Sequence, residues 1–226
     1  MKPARFDNIY EEKAKKGMKL FTKSAYEDFR GFEEAIITKD DQQYREVDPE
    51  RSKLFAAVAK GISQIGIREG SSVLYLGASH GYTASYCSDI IGKQGKILCV
   101  DVAPRVVRDL VFLCEKRDNM APLLADCRQP ETYKEFISEN VDVVFQDIAQ
   151  RDQVSIFLKN CDQFLKQGGF GLLAVKARSI DVTKKPALVF KQAYQELDKA
   201  RSTVIVDKRE LAPYEKDHVL FVVKKR

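Results

Sequence analysis

The chain has 226 residues, 44% of them hydrophobic, and a formal net charge of +5. That length suits one α/β domain with a small appendage, and the apolar content is enough for a sizeable core. No apolar run reaches the ~18–20 residues of a membrane span, Met1–Arg5 lacks the apolar core of a signal peptide, and the mildly basic balance suits a polyanion partner without requiring one.

Residues 1 to 47 are polar and carry short β-like pieces at 18–21, 34–38 and 43–47. They predict a small antiparallel N-terminal sheet behind a disordered or helical lead-in, with Asp40-Asp41 as a hairpin turn. A methodical change follows: Asp48 suits a helix cap, Pro49 the first helical position, and Glu50 the positive helix end. Leu54, Val58, Ile62 and Ile65 recur on one face of that helix. The expected domains are therefore 1–47 and 48–226. From Ser71 onward strands at 73–76, 97–101, 122–125, 141–145 and 170–176 are spaced by helices at 83–91, 104–116, 153–165 and 187–200. Two strands, 203–209 and 218–224, close the chain without a helix between them. The βα repeat predicts a parallel sheet, and the closing pair a hairpin that inserts one antiparallel strand. Cys87, Cys99, Cys114, Cys127 and Cys161 are an odd set without a C-x-x-C pair. They read as small buried hydrophobes of a reduced, intracellular protein, and no metal site is expected.

The run Val73–Gly81 is a buried strand leading into a small-residue turn, and the next strand ends on Asp101, 24 residues beyond Gly77. Glycine lets a ligand approach the backbone, and an acid at the neighbouring strand end accepts hydrogen bonds from ribose hydroxyls. The third glycine of G-x-G-x-x-G is missing, so a pyrophosphate is poorly served and an NAD dehydrogenase is disfavoured. The pattern points instead to S-adenosylmethionine, which has no phosphate. The fold class is then α/β: the doubly wound, mostly parallel seven-stranded sheet of class I S-adenosylmethionine-dependent methyltransferases, with one antiparallel strand and a small N-terminal β domain.

Ligands of such sheets lie beyond the carboxyl ends of the strands. Five successive strands here end on Gly77, Asp101, Asp126, Asp147 and Lys176. Asp101 is either the ribose-binding acid or a cap for the helix at Pro104. Asp126-Cys127 lies where an adenine amino group is expected, or is a turn before Pro130. Thr83 either bonds the cofactor or caps its helix. Asp147 and Lys176 leave apolar strands and read as a pair, catalytic or structural. Lys53 and His218 each have a structural reading beside a chemical one, and His80 is at most a cofactor neighbour. Arg105, Arg108, Arg178, Lys184 and Lys185 suit phosphate contacts or plain solvated faces.

From about Tyr44 to Lys225 the chain resembles the fibrillarin family, especially its archaeal form. Arg51-Ser52-Lys53-Leu54 looks like the first helix of the family's main domain, and Val73–Ala78 with Ser88-Asp89-Ile90 like its first motif. Phe145–Gln150 resembles the acidic strand end. Ala174–Asp181 and Pro213–His218 are the most specific matches. The resemblance implies an RNA ribose 2′-O-methyltransferase acting on rRNA or tRNA with S-adenosylmethionine. It implies work within a ribonucleoprotein, with a box C/D guide RNA, a Nop-domain scaffold protein and a kink-turn-binding ribosomal-protein relative. It also implies a cytoplasmic setting in an archaeal source and a nucleolar one in a eukaryote. By position, the family's cofactor contacts fall on Tyr82, Thr83, Asp101, Val102, Asp126, Cys127, Asp147, Ile148, Ala149 and Gln150, beside Gly77. Its catalytic set falls on Lys53, Asp147, Lys176 and His218. The chain departs from the family pattern at Tyr82, where a second threonine is usual, and at His80, where a small residue is usual. It also has Val47 in place of a tryptophan and Cys127 in place of alanine.

The expected chemistry is direct methyl transfer to a ribose 2′-oxygen, with Lys176 held by Asp147 and Lys53 supporting the charge network. The competing readings are a catalytically silent assembly subunit, and a class I methyltransferase acting on protein or small molecules.

Overall fold

The computed structural model describes residues 1–15, 17–27 and 31–226. Those residues form two sheets. The first is antiparallel, of order β1-β2-β3-β5-β4, built from β1 (Lys2–Pro3), β2 (Ile9–Ala14), β3 (Gly17–Lys23), β4 (Ile36–Lys39) and β5 (Gln42–Val47). Asp40 and Asp41 take φ of +50° and +59° between β4 and β5, the left-handed pair that a two-residue hairpin turn needs. The expected disordered or helical lead-in is instead β1 and β2. Ile9, 1% exposed, anchors β2 on the core, and β2 pairs with β3 from Ile9↔Thr22 to Ala14↔Gly17.

The helix expected from Pro49 through Ile65 is shorter and broken. Pro49–Arg51 is a single 3₁₀ turn, capped by Asp48, whose side chain accepts from the Glu50 N–H at 2.8 Å. Ser52 is extended, and its Oγ accepts from the Phe55 N–H (3.4 Å), so it caps a second start, α1 (Lys53–Ala59). Gly61, at φ +72°, then turns the chain. Ile62 and Ile65 are buried as expected, but from the loop and not from a helix.

The second sheet has seven strands in the order β11-β12-β10-β9-β6-β7-β8. They are β6 (Ser72–Leu76), β7 (Lys96–Asp101), β8 (Met120–Leu124), β9 (Val141–Gln146), β10 (Leu165–Lys176), β11 (Thr203–Glu210) and β12 (His218–Lys225). β10, β9, β6, β7 and β8 run parallel. β12 runs antiparallel between β10 and β11, as the helix-free closing hairpin requires. The crossovers are α2 (Tyr82–Ile91), α3 (Pro104–Cys114), α4 (Gln153–Phe164) and α6 (Pro186–Lys199), with one short turn of helix, α5 (Ala177–Ile180).

Side chains alternate across the sheet with period two. Val73, Tyr75, Val143, Phe145, Leu172, Ala174, Leu220 and Val222 pack with α1, α2 and α3. Leu74, Leu76, Val144, Leu173, Val175, Val219, Phe221 and Val223 pack with α4 and α6. This alternation decides which strand-end residues share a face. Two positions beyond Phe145, Ala174 and Leu220 stand Asp147, Lys176 and, at the other end of the antiparallel strand, His218. All three therefore lie on the face that α1, with Lys53, covers.

The two sheets meet at Asp89 of α2. Its carboxylate is fully buried and accepts from Arg45 Nη1 (2.6 Å), Arg117 Nη1 (2.9 Å), Thr22 Oγ1 (2.8 Å) and the Ala25 N–H (3.1 Å). All five cysteines are free thiols, four of them buried. Among the described residues no helix is long and apolar enough to cross a membrane, and no cluster of metal-ligating side chains is present.

Candidate active site

A cleft of about 220 Å³ opens beyond the carboxyl ends of β6, β7, β8 and β9. Its walls are Gly77, Ser79, Asp101, Val102, Asp126, Cys127, Arg128 and the run Asp147–Gln150. The structure brings most of the expected strand-end residues together in this cleft, but two of the expected cofactor contacts lie outside it. Tyr82 and Thr83 do not line the cleft. The Tyr82 ring turns toward the first sheet, edge-on to Phe32 and Tyr86, with the Arg51 guanidinium 4.2 Å above it. The Thr83 hydroxyl donates to Ser52 Oγ (3.0 Å). The bulk at Tyr82 therefore stays out of the cleft. His80 is exposed and faces Ser79 and Asp109, also outside it.

The turn that floors the cleft is tightly made. Gly77 has φ +79°, and a Cβ there would lie 2.3 Å from the Asp147 carbonyl oxygen. Its N–H and that of Ala78 donate to the Val100 carbonyl (2.8 and 3.2 Å), and the Gly81 N–H to Ala78 (2.9 Å). The Ser79 N–H donates to Asp101 Oδ2 (2.9 Å). A phosphate bound at such a turn needs free backbone donors, and these four are already engaged. Asp101 in turn accepts from the Ala103 N–H through Oδ1 (3.0 Å). Each of its oxygens keeps a lone pair for a vicinal diol.

The cleft carries three carboxylates, Asp101, Asp126 and Asp147, against one cation, Arg128. Arg128 forks onto Asp126, with Nη2–Oδ2 at 2.6 Å and Nε at 2.9 and 3.0 Å from the two oxygens. Those hydrogen bonds hold the Asp126 carboxyl below the usual range. Burial pushes the Cys127 thiol up to about 11, so it is a neutral, apolar wall at pH 7. The acidic excess suits a cationic ligand.

Asp147 joins the cleft to a second cluster. Its Oδ2 lies 3.0 Å from Lys53 Nζ. Lys53 also faces Glu215 Oε1 at 3.8 Å, and the other Glu215 oxygen lies 3.6 Å from His218 Nδ1. Burial pushes the Lys53 amine down, but Asp147 and Glu215 outweigh it and hold the ammonium above the ordinary lysine value. His218 Nδ1 lies 2.7 Å from the Lys216 carbonyl. A carbonyl only accepts, so Nδ1 carries the proton and Nε2 is the acceptor. Burial lowers the His218 pKa, the Lys53 charge adds to that, and the Lys216 carbonyl and the carboxylates of Glu215 and Asp147 only partly oppose it. The histidine is therefore neutral at pH 7.

The expected Asp147–Lys176 pair is not what forms. Asp147 is taken by Lys53, because α1 lies over this end of the sheet. Lys176 is exposed, and among the described residues no carboxylate pairs with its amine. It is the direct cross-strand partner of His218, so the two side chains leave the same face side by side. Its N–H donates to Oε1 of buried Gln153 (3.1 Å), whose Nε2 donates to the Gln150 carbonyl (2.7 Å). Gln153, Glu215 and Arg128 are the residues that sequence reasoning missed. Only Glu215 left a trace in the chain, as the acid three positions before His218.

Three comparisons place this arrangement among known proteins. The family model described as Fibrillarin matches residues 1–226. A fibrillarin-like rRNA/tRNA 2′-O-methyltransferase of Thermococcus gammatolerans is 45% identical over 226 residues, covering 100% of this chain and 99% of that protein. Aeropyrum pernix fibrillarin, solved with natively bound S-adenosyl-L-methionine, superposes with a TM-score of 0.89 at 38% identity, covering 98% of this chain and 96% of that one. A fibrillarin in complex with Nop5p gives a TM-score of 0.86 at 35% identity, covering 98% and 99%. A family model that matches the whole chain and a relative 45% identical over its full length show that the chain belongs to the fibrillarin family.

Proposed function

We infer that this chain is an S-adenosylmethionine-dependent methyltransferase that modifies ribose 2′-oxygens of rRNA and tRNA. The observation that carries the reading is the junction at Asp147, which lines the cleft and holds Lys53 at 3.0 Å beside the His218–Lys176 rung. A family likeness without this cluster would suit a silent assembly subunit equally well.

The residues fit S-adenosylmethionine on their own chemistry. Asp101 has acceptors left that would hold the ribose hydroxyls, Asp126 and Cys127 would hold the base, and the carboxylate excess favours a sulfonium. The engaged N–H groups of the turn argue against a pyrophosphate. When bound, S-adenosylmethionine supplies a methyl group on a good leaving group, a neutral thioether. Lys176, exposed and cationic, steadies the incoming 2′-oxygen as it gains negative character. His218 Nε2 takes the hydroxyl proton as the new O–C bond forms, and passes it to solvent. Lys53, held by Asp147, fixes the carboxylate between cleft and cluster. Alignment of the two reactants supplies much of the acceleration, since well-oriented groups gain about 7–11 kcal/mol over free collision.

Selection of the target nucleotide belongs to partners. We assign a Nop-domain scaffold, by analogy with the Nop5p complex of the related fibrillarin, together with a box C/D guide RNA and a kink-turn-binding ribosomal-protein relative, in the cytoplasm of an archaeal cell. A net charge of +5 is modest for a chain that must hold RNA alone.

Calorimetric titration with S-adenosylmethionine tests the cleft. The wild type should bind in the micromolar range, and Asp101→Ala should bind at least about tenfold more weakly, the loss of a hydrogen bond to a charged group. Equal affinity in the two proteins would reject the assignment of Asp101.

A further inference from the structure

We propose that Glu215 is a positioning residue of the methyl-transfer site, tying the Lys53–Asp147 pair to His218 through its two carboxylate oxygens. The proposal rests on the methyltransferase reading above and adds to it a group that holds two of its members.

The geometry is divided between the two oxygens. Oε1 faces Lys53 Nζ at 3.8 Å and Oε2 faces His218 Nδ1 at 3.6 Å. Both distances are electrostatic contacts and longer than hydrogen bonds. Glu215 is one-fifth exposed, so its charge is only partly screened. Its backbone is fixed from outside the cluster, by the Glu215 N–H donating to the Leu211 carbonyl (3.2 Å). The residue does not line the cofactor cleft.

The charges around His218 come from every side of it. Lys53 stands on α1, Asp147 beyond β9, Lys176 across the ladder on β10, and Glu215 and Lys216 on its own loop. Asp217 is turned away onto Arg178 (3.0 Å). Of these, Glu215 and Asp147 favour a protonated ring, and Lys53 disfavours it. Asp147 is bound directly to Lys53, whereas Glu215 faces both groups. It therefore adds to Asp147 in holding Lys53 an ammonium, and keeps the His218 ring more basic than burial and the Lys53 charge alone would leave it. Without it, burial and the Lys53 charge would push His218 Nε2 toward a weaker base.

The test uses the full chain, first alone and then in the reconstituted guide particle, with Glu215→Gln and Glu215→Asp. The chain has two histidines, so imidazole NMR resolves both titrations. Glu215→Gln should lower the His218 midpoint and leave His80 unmoved, and Glu215→Asp should restore part of the loss. In the particle, Glu215→Gln should lower kcat about tenfold or more, a part of the 10²–10⁴ that a positioned acid–base group contributes. Its acid limb should move to lower pH. KM for the RNA and the affinity for S-adenosylmethionine should stay within about twofold. An unmoved His218 midpoint overturns the proposal whatever the rate does, because a merely structural loss would lower the rate in the same way. An unchanged rate with a moved midpoint also overturns it, since the charge link would then have no part in transfer. A wild-type particle that binds S-adenosylmethionine but transfers no methyl removes the methyltransferase reading itself, and so is told apart from failure at Glu215.

Discussion

Lys53 on α1 and Lys176 at the end of β10 are the same residue type at the same face of one sheet, yet they stand in opposite surroundings. Lys53 lies between two carboxylates, and its ammonium is held by the protein. Lys176 is exposed at the rim, where a substrate oxygen can reach it. Replacing Lys176 with Ala should therefore abolish methyl transfer and leave S-adenosylmethionine affinity nearly intact, as read by calorimetry beside a transfer assay. Normal turnover in that variant would end its assigned role. Gly77 is constrained from two directions, by its positive φ and by the Asp147 carbonyl, 2.3 Å from any added Cβ. Gly77→Ala should displace the Asp147 segment and lower both stability and cofactor affinity, each measurable on the free chain.

The titration of the cluster also sets a pH profile. Transfer needs neutral His218, whose pKa lies below the ordinary 6.5. Activity is therefore full at neutral pH and falls as acid protonates the ring. The Lys53 ammonium, held above the usual 10.5, adds no alkaline limb below that value. The rate should trace a plateau from neutrality upward with an acid midpoint under 6.5. An acid midpoint at or above 6.5 would contradict the neutral-histidine assignment.

Individual elements differ in how openly the sequence shows them. The strands β6 to β9 are short, mostly apolar runs that lead into a glycine or an acid, so both their existence and their useful ends are legible from Val73–Gly77 or Val143–Asp147. The closing hairpin is legible as well, because Thr203–Glu210 and His218–Lys225 leave no room for a crossover helix. The break between Pro49 and Lys53 is not legible. The apolar spacing there continues past Ile62 as a helix would, and only the extended Ser52 and left-handed Gly61 stop it. The choice of lysine for Asp147 is hidden for a similar reason, since it depends on where α1 crosses the sheet. One element contact carries a stability prediction of its own. Lys225, at the end of β12, donates to the Cys161, Asp162 and Leu165 carbonyls at 2.8–2.9 Å. A cation at a helix C-terminus interacts favourably with the last carbonyls, here adding to the Leu165 N–H that the Cys161 carbonyl already accepts. Lys225→Ala should cost about 1 kcal/mol, measured by denaturant unfolding, with no change in cofactor affinity.

The molecule as a whole depends on a polar joint between its sheets. Asp89 receives two guanidinium groups, a threonine hydroxyl and a backbone N–H with almost no exposure to water. Removing one partner of such a buried network leaves charge uncompensated and costs about 3–5 kcal/mol. Asp89→Ala should lower unfolding stability by that amount and loosen the first sheet from α2, which hydrogen exchange on β3 and β5 would report. A loss under 1 kcal/mol would mean that the sheets are held by their apolar contacts alone. Sequence patterning shows Asp89 only as an acid within an apolar helix.

The central claim is that this cleft and cluster together methylate a ribose. The most direct measurement is transfer of labelled methyl from S-adenosylmethionine to a guide-matched RNA in the reconstituted particle, followed by digestion to nucleosides. The account predicts label on one ribose 2′-oxygen at the guided position, and none when Lys176 is Ala. Label on a base or on protein, or none at all from a chain that binds S-adenosylmethionine, would contradict it.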